Sequence, residues 1–259
     1  MKLVHEALSE RVAQQALLLL ERRDAFLDDP DDIETNHKLR VSIRTLRSLA
    51  DFLSPWVKKS QAKRLQGDLK SVVKKTSRLR ELDVLVTFAK ELDPPAPALV
   101  EFCECEARNE RAQVLDYISG SDAREKIDRA VGSLQNLEWV PSVKKTGLDP
   151  AIVRNRFDDI AASLAADLDA SDDADYEFIH AIRKRAKQVR YVAEQFSEVI
   201  GEDAVDIAKQ TKRSQDRLGA ICDAKVNREI VGTYLLRSDL DDELALQIVR
   251  LIQPVNNNR

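Results

Sequence analysis

Apolar residues recur along most of the chain with the three- and four-residue spacing of an amphipathic helix. Leu39, Ile43, Leu46, Ala50 and Leu53 show this spacing, which places one apolar stripe along one side of a helix. No stretch alternates apolar and polar residues as a half-buried strand would. The pattern predicts an all-α protein with long helices. These helices span about residues 3–26, 32–53, 57–92, 96–118, 122–137, 150–168, 175–199, 203–236 and 239–252.

Prolines and an acidic cap mark the ends of these segments. Pro30 and Pro55 each follow a predicted helix, and proline cannot continue one. The segment 141–150 has a proline at each end and indicates a linker. Asp149 is a candidate N-cap, with Pro150 at the first helical position. We therefore expect one domain made of two repeats, with a first helical bundle at 1–120, a connecting helix and linker at 121–148, and a second helical bundle at 149–259.

A histidine-led basic motif occurs twice, 143 positions apart. Each copy has a histidine followed by basic residues at spacings of three, four and three. Each basic residue directly follows an apolar one, so a basic stripe borders the buried stripe. The two copies are His37, Arg40, Arg44, Arg47 and His180, Arg183, Lys187, Arg190. This repetition predicts a duplicated four-helix unit.

The helix predicted after each copy is also basic. The rows are Lys70, Lys74 and Arg78 in the first half, and Lys209, Lys212, Arg213 and Arg217 in the second. Like charges four residues apart destabilise a helix by about 0.2–0.5 kcal/mol per pair. Two explanations stay open at this point: acids on neighbouring helices relieve the repulsion, or a dense anion does so on binding. Arginine suits phosphate because its planar fork donates two hydrogen bonds at once.

The distribution of charge changes the meaning of the net charge. The chain of 259 residues carries a net charge of −4 at pH 7. Residues 37–80 nevertheless contain 13 lysines and arginines against two acids, and residues 180–228 contain 11 against seven. A binding partner responds to the local electrostatic field of these segments more strongly than to the net charge of the whole chain, so an anionic partner is expected.

Composition bears on location as well. The longest strongly apolar run, residues 17–20, is far shorter than the ~20 residues that span a bilayer. The N-terminus lacks the pattern of a signal peptide, and three cysteines in a chain this long do not suggest a disulfide framework. We expect a cytoplasmic protein with no membrane partner.

Two pairs of segments resemble the CHAD domain, the conserved-histidine α-helical domain. In the first half they are HKLRVSIRTLR at 37–47 and SRLRELDVL at 77–85. In the second half they are HAIRKRAKQVRY at 180–191 and QDRLGAICD at 215–223. A single His-x-x-Arg is a weak signal, but the ordered set is fairly specific and covers nearly the whole chain.

The resemblance implies two four-helix bundles related by a pseudo-two-fold, whose basic helix faces bind inorganic polyphosphate. The resemblance implies a polyphosphate-binding role for the eight residues of the histidine motifs, and more weakly for the basic rows that follow them. The family often has a further basic residue where this chain has Thr45 and Gln188. A Leu-Gly turn signature, present at Leu218–Gly219, is replaced in the first half by Thr76–Ser77. Fewer cations would lower the affinity. The implied uses are targeting to polyphosphate granules and regulation of phosphate metabolism.

Other functions receive less support. A Glu-x-Glu-x-Lys signature of triphosphate-tunnel enzymes has its nearest match at Glu104, Glu106 and Arg108, where helical residues two apart diverge by about 200°. No phosphate-binding glycine loop or metal-ligand cluster accompanies it, so neither catalysis, a cofactor nor a metal is expected. Nucleic acid is the less favoured polyanion, since aromatic residues make up only 5% of the chain. A structural adaptor, with its basic rows in ion pairs, is the third alternative. His37 and His180 either contact the ligand or hold the helix starts.

Overall fold

The computed structural model describes residues 3–171, 174–237 and 240–252. Its regular structure within these ranges is helical, apart from one antiparallel bridge between Val57 and Trp139. The prediction of an all-α protein is confirmed. The helices are α1 (Val4–Asp28), α2 (Ile33–Leu53), α3 (Lys59–Lys75), α4 (Ser77–Lys90), α5 (Pro97–Ser119), α6 (Ser121–Gln135), α7 (Pro141–Thr146), α8 (Pro150–Asp169), α9 (Tyr176–Ile200), α10 (Asp203–Tyr234) and α11 (Asp242–Ile252).

Two predicted boundaries are wrong. The helix expected over 57–92 is broken at Thr76, which separates α3 from α4. The segment expected to be a linker, 141–150, contains the short helix α7, which starts at Pro141 and ends before Gly147. Gly147 has a φ of 78°, a left-handed conformation that glycine adopts at low cost. Residue 239, the predicted start of the last helix, lies outside the described residues.

Short polar side chains define several helix starts. Asp149 accepts a hydrogen bond from the Ala151 amide at 2.9 Å, and Pro150 occupies the first turn, so the predicted cap of α8 is confirmed. The carboxylate of Asp175 accepts from the Phe178 amide at 2.8 Å in the same way. These bonds satisfy amides that lack a partner within the helix, and the second one fixes the residue at which the His180 helix begins.

The apolar stripe predicted on α2 is buried along its whole length, from Leu39 to Leu53. It belongs to a large core cluster to which α1, α2, α3, α6, α8 and α9 contribute. A second cluster lies between α4, α5, α10 and α11. Each cluster takes residues from both sides of the connecting segment, 121–148. The division into two repeats and their pseudo-two-fold relation stay predictions.

Packing between α2 and α9 positions the histidine motifs. The rings of Phe52 and Phe196 lie 5.9 Å apart between these helices, and Gln188 donates to Asp51 at 2.6 Å. The two helices therefore lie side by side, with both basic stripes at one junction. None of the helices in the described part of the chain is long and apolar enough to cross a membrane.

Candidate polyanion-binding grooves

Two open grooves run along the α2–α9 junction, and they share one wall of cations. The α3 groove, of about 550 Å³, is lined by α2, α3 and α9. The α10 groove, of about 440 Å³, is lined by α2, α4, α9 and α10. Arg44, Arg183 and Lys187 line both grooves, and we call these three residues the central cluster.

The central cluster is poorly compensated by acids. The side chains of Arg44 and Lys187 have no hydrogen bond or carboxylate ion pair within the described ranges. Burial, followed by the repulsion of Arg44 and Arg183, lowers the pKa of Lys187 to about 7. Burial is also the main cause of the lowered pKa of Arg44, and Arg183 adds to it by repulsion. Like charges in a half-buried site raise the free energy of the unliganded protein.

Arg183 has one carboxylate partner among the residues that the structure describes. Its guanidinium donates to Asp223 on α10 at 3.3 Å, while its Nε is buried without a hydrogen-bond acceptor. Gly219 lies beneath this guanidinium, because a Cβ there would be 3.7 Å from the Arg183 Nε, an ordinary van der Waals contact. Leu218–Gly219, the Leu-Gly signature of the family resemblance, lies inside α10, in agreement with the helix predicted over 203–236. Arg183 keeps donor capacity toward the grooves.

Arg40 occupies the corresponding position in the first motif but has a different environment. It is only 4% exposed. Its Nη1 donates to the Val73 carbonyl at 2.9 Å, to Thr76 Oγ1 at 2.8 Å and to Ser77 Oγ at 3.3 Å. These acceptors lie at the break between α3 and α4, where the last carbonyls of α3 lack helical partners. Arg40 therefore stabilises this break while it lines the α10 groove.

The two histidines lie at the groove edges. His37 lines the α10 groove, and His180 lines both grooves. Burial lowers the pKa of each imidazole, with Arg80 adding to the effect at His37 and Lys184 at His180. Both rings are therefore mainly neutral at pH 7 and able to donate one hydrogen bond. The ring of His180 also stacks on Tyr176, with centroids 5.8 Å apart.

Comparison with known proteins identifies the family to which this chain belongs. The CHAD domain family model matches residues 10–232, most of the chain. The chain belongs to the CHAD domain family. The resemblance carried by the two histidine motifs is thereby confirmed.

Solved structures share the CHAD fold. The crystal structure of the CHAD domain from the plant Ricinus communis superposes with a TM-score of 0.77 at 16% identity, over 97% of this chain and 86% of that one. PptA from Streptomyces chartreusis superposes with a TM-score of 0.65 at 15% identity, over 97% and 93%. At these identities the likeness concerns the fold. The search of curated proteins finds no match.

Ten of the fifteen predicted site residues line the grooves of this CHAD domain. Beside the central cluster, Arg40 and the histidines, they are Arg47, Lys70, Arg190 and Lys212. Some of these have intramolecular partners. Arg47 donates to Gln66 at 3.1 Å, and Arg190 lies 3.3 Å from Glu194. The Lys212 ammonium donates to Asp216 at 2.9 Å.

The other five predicted site residues line neither the α3 groove nor the α10 groove. They are Lys74, Arg78, Lys209, Arg213 and Arg217. Arg78 lies 4.0 Å from Glu81, and Lys209 donates to Asp206 at 3.0 Å. The predicted row of Lys70, Lys74 and Arg78 requires one continuous helix. The break at Thr76 ends α3 before Arg78. A role for these five in ligand contact stays a prediction.

The sequence reasoning missed several groove residues. Arg80 lines the α10 groove beside His37, and Lys184 lines the α3 groove beside His180. A signal for Arg80 was present, since it lies within the family-like segment 77–85. The four-residue spacing from Lys70 and Lys74 predicts Arg78 instead. Two residues apart on α4, the two side chains point about 200° apart.

Proposed function

We propose that the two grooves bind inorganic polyphosphate without catalysing a reaction on it. The observation that carries this proposal is the central cluster, in which, among the described residues, Arg44 and Lys187 have no carboxylate within ion-pair distance and Arg183 has only Asp223. A row of phosphates would supply the missing negative charge. Membership of the CHAD family supports a role of this kind.

The chemistry of the lining suits a linear chain of phosphates. Arg44 and Arg183 present planar forks that donate two hydrogen bonds to one phosphate, and Lys187 adds a compact charge. The neutral imidazoles of His37 and His180 donate single bonds at the edges. A bound polyanion also removes the repulsion within the cluster, so part of the binding free energy comes from relief of an unfavourable unliganded state.

Nucleic acid fits the lining less well. Single-strand binders usually offer aromatic faces on which bases stack. The ring of Tyr176 already stacks on His180 and carries the Lys225 ammonium 3.8 Å from its centroid. Tyr191 is 3% exposed, with the Arg190 guanidinium 4.7 Å from its ring. Because these two rings already contact His180, Lys225 and Arg190, the grooves offer positive charge but, among the described residues, no free aromatic face on which a base could stack.

A structural adaptor would need the groove cations for ion pairs. Such pairs exist at the periphery, at Arg190–Glu194 and Lys212–Asp216. They do not extend to Arg44 or Lys187 in the part of the chain that the structure describes. The unpaired charge is therefore at the centre of the grooves, where a ligand would meet it.

Binding and competition measurements with two matched double variants test the proposal. Arg44→Ala with Lys187→Ala removes two charges from the central cluster. Arg213→Ala with Arg217→Ala removes two exposed charges outside the groove linings. We expect the first pair to weaken polyphosphate binding by at least about tenfold, since hydrogen bonds to charged groups are each worth about 1.5–3 kcal/mol. The second pair should have a much smaller effect, and circular dichroism should report unchanged helicity in both.

Competition decides between the polyanions. Polyphosphate should displace labelled single-stranded RNA or DNA far better than the reverse, at matched phosphate concentration and salt. Displacement in favour of the nucleic acid would overturn the proposal. Such binding would place the protein at polyphosphate granules in the cytoplasm. It would also serve the regulation of phosphate metabolism.

A further inference from the structure

A row of lysines leads out of the α3 groove along the surface of α3. Gln66 and Lys70 form the α3 side of this groove. At 100° per residue, Lys59 and Lys63 share a helical arc of about 60° with Gln66 and Lys70. Lys59, Lys63 and Lys70 are all exposed, and we call them the α3 lysine row. From Lys59 to Lys70 the row spans about 16 Å at 1.5 Å per residue, of which about 10 Å lies beyond Gln66 and continues the groove wall.

This row is not compensated by nearby acids on its own helix. Asp68, the one acid within α3, lies on the opposite side of the helix and accepts from Arg129 of α6 at 2.8 Å. The side chains of the three lysines have no hydrogen bond or ion pair among the described residues. Several other exposed lysines do have one, such as Lys58 with Glu138 at 2.7 Å and Lys90 with Glu104 at 2.7 Å.

We propose that the α3 lysine row is a track that carries a long polyphosphate chain out of the α3 groove. This inference rests on the proposed function of the grooves. A short oligophosphate would be held by the central cluster alone. A longer chain would continue past Lys70 to Lys63 and Lys59, so the ligand class for which this surface is built is long-chain polyphosphate. Asp51, the acid in this groove, accepts from Gln188 and leaves the α3 side as the positive wall.

The test compares two ligands, tripolyphosphate and long-chain polyphosphate, on the full chain. The variant Lys59→Gln with Lys63→Gln removes two charges of the row. Its matched control, Arg64→Gln with Lys75→Gln, removes two exposed charges from the other side of the same helix. We expect the row variant to lose roughly 2- to 30-fold in affinity for the long chain, as two exposed charge contacts allow. Its affinity for tripolyphosphate should stay unchanged.

The salt dependence gives a second readout. Loss of phosphate contacts lowers the slope of log affinity against log salt, and only the row variant with the long chain should show this. Equal losses in the row variant and its control would overturn the track, as would an equal loss for both ligands. If the unchanged protein bound neither ligand, the proposed function itself would be overturned, and the track with it.

Discussion

Lys187 lies where both grooves meet, and its charge changes near neutral pH. Burial and the repulsion of Arg44 and Arg183 lower the pKa of this ammonium from 10.5 to about 7 in the folded protein. Between these two values the unfolded chain holds a proton that the folded chain lacks. The free energy of unfolding therefore rises with pH across this window, through this group. Polyphosphate affinity should change in the opposite direction, because the groove loses a cation.

The first prediction is a fall in polyphosphate affinity between about pH 6.5 and pH 8.5, a window whose centre lies above the lowered pKa of the two histidines. The variant Lys187→Arg should bind with little change over this window, because its guanidinium stays charged. Titration calorimetry in buffers of different ionisation enthalpy would also detect proton uptake on binding to the unchanged protein. An identical pH profile in the arginine variant would refute the assignment to Lys187.

Arg40 and Arg183 occupy the same position in the two motifs, but their contacts differ. Arg40 is buried against Val73, Thr76 and Ser77, whereas Arg183 has one long bond to Asp223 and an unpartnered Nε. We expect Arg40→Ala to lower the free energy of unfolding by about 1.5–3 kcal/mol, since a charged donor is lost from buried acceptors. Arg183→Ala should leave stability unchanged or slightly raised.

Urea denaturation and polyphosphate titration on both alanine variants check this difference. Arg183→Ala should lose affinity and show a smaller dependence of binding on salt, because a phosphate contact is removed. Arg40→Ala should lose stability, and Arg40→Lys should recover part of it, since its ammonium also donates to these acceptors. Equal stability of the two alanine variants would contradict the distinct roles.

At the level of the helix, periodicity predicted most elements but not the break at Thr76. Leu69, Val72, Leu79 and Leu82 continue an apolar stripe through this point, and no proline or glycine interrupts it. The break is stabilised by a distant residue, since Arg40 donates to Thr76 and to the buried carbonyl of Val73. Such a tertiary contact is not visible in local spacing. For the same reason, the spacing predicts Arg78 as a site residue, whereas Arg80 lines the α10 groove.

The histidine helices show which part of a site local sequence does determine. A basic residue after each apolar one places cations at the border of a buried stripe, and these residues line the grooves in both α2 and α9. What spacing could not reveal is that α2 and α9 pack against each other, so that the two stripes form one central cluster. Their packing depends on non-local pairs such as Phe52 with Phe196.

At the scale of the whole molecule, an acidic chain presents a basic groove. The net charge is −4, yet the central cluster joins cations from segments far apart in the sequence. Many acids act at helix starts, as Asp149 and Asp175 do, and leave the grooves with few carboxylates. In the unfolded chain the cations disperse among acids. The unfolded state should therefore bind a polyanion far more weakly than the folded state.

This difference predicts that polyphosphate stabilises the whole fold. A ligand that binds the folded state alone adds about 2.7 kcal/mol at a free concentration one hundred times its Kd. For a chain of this size the gain corresponds to a rise in Tm of roughly 5–10 °C. Thermal denaturation with polyphosphate, against orthophosphate at matched phosphate and ionic strength, checks it. The rise should shrink with added salt and in the double variant Arg44→Ala with Lys187→Ala. An equal rise with orthophosphate would identify a general salt effect instead, since single phosphates cannot span the clustered cations.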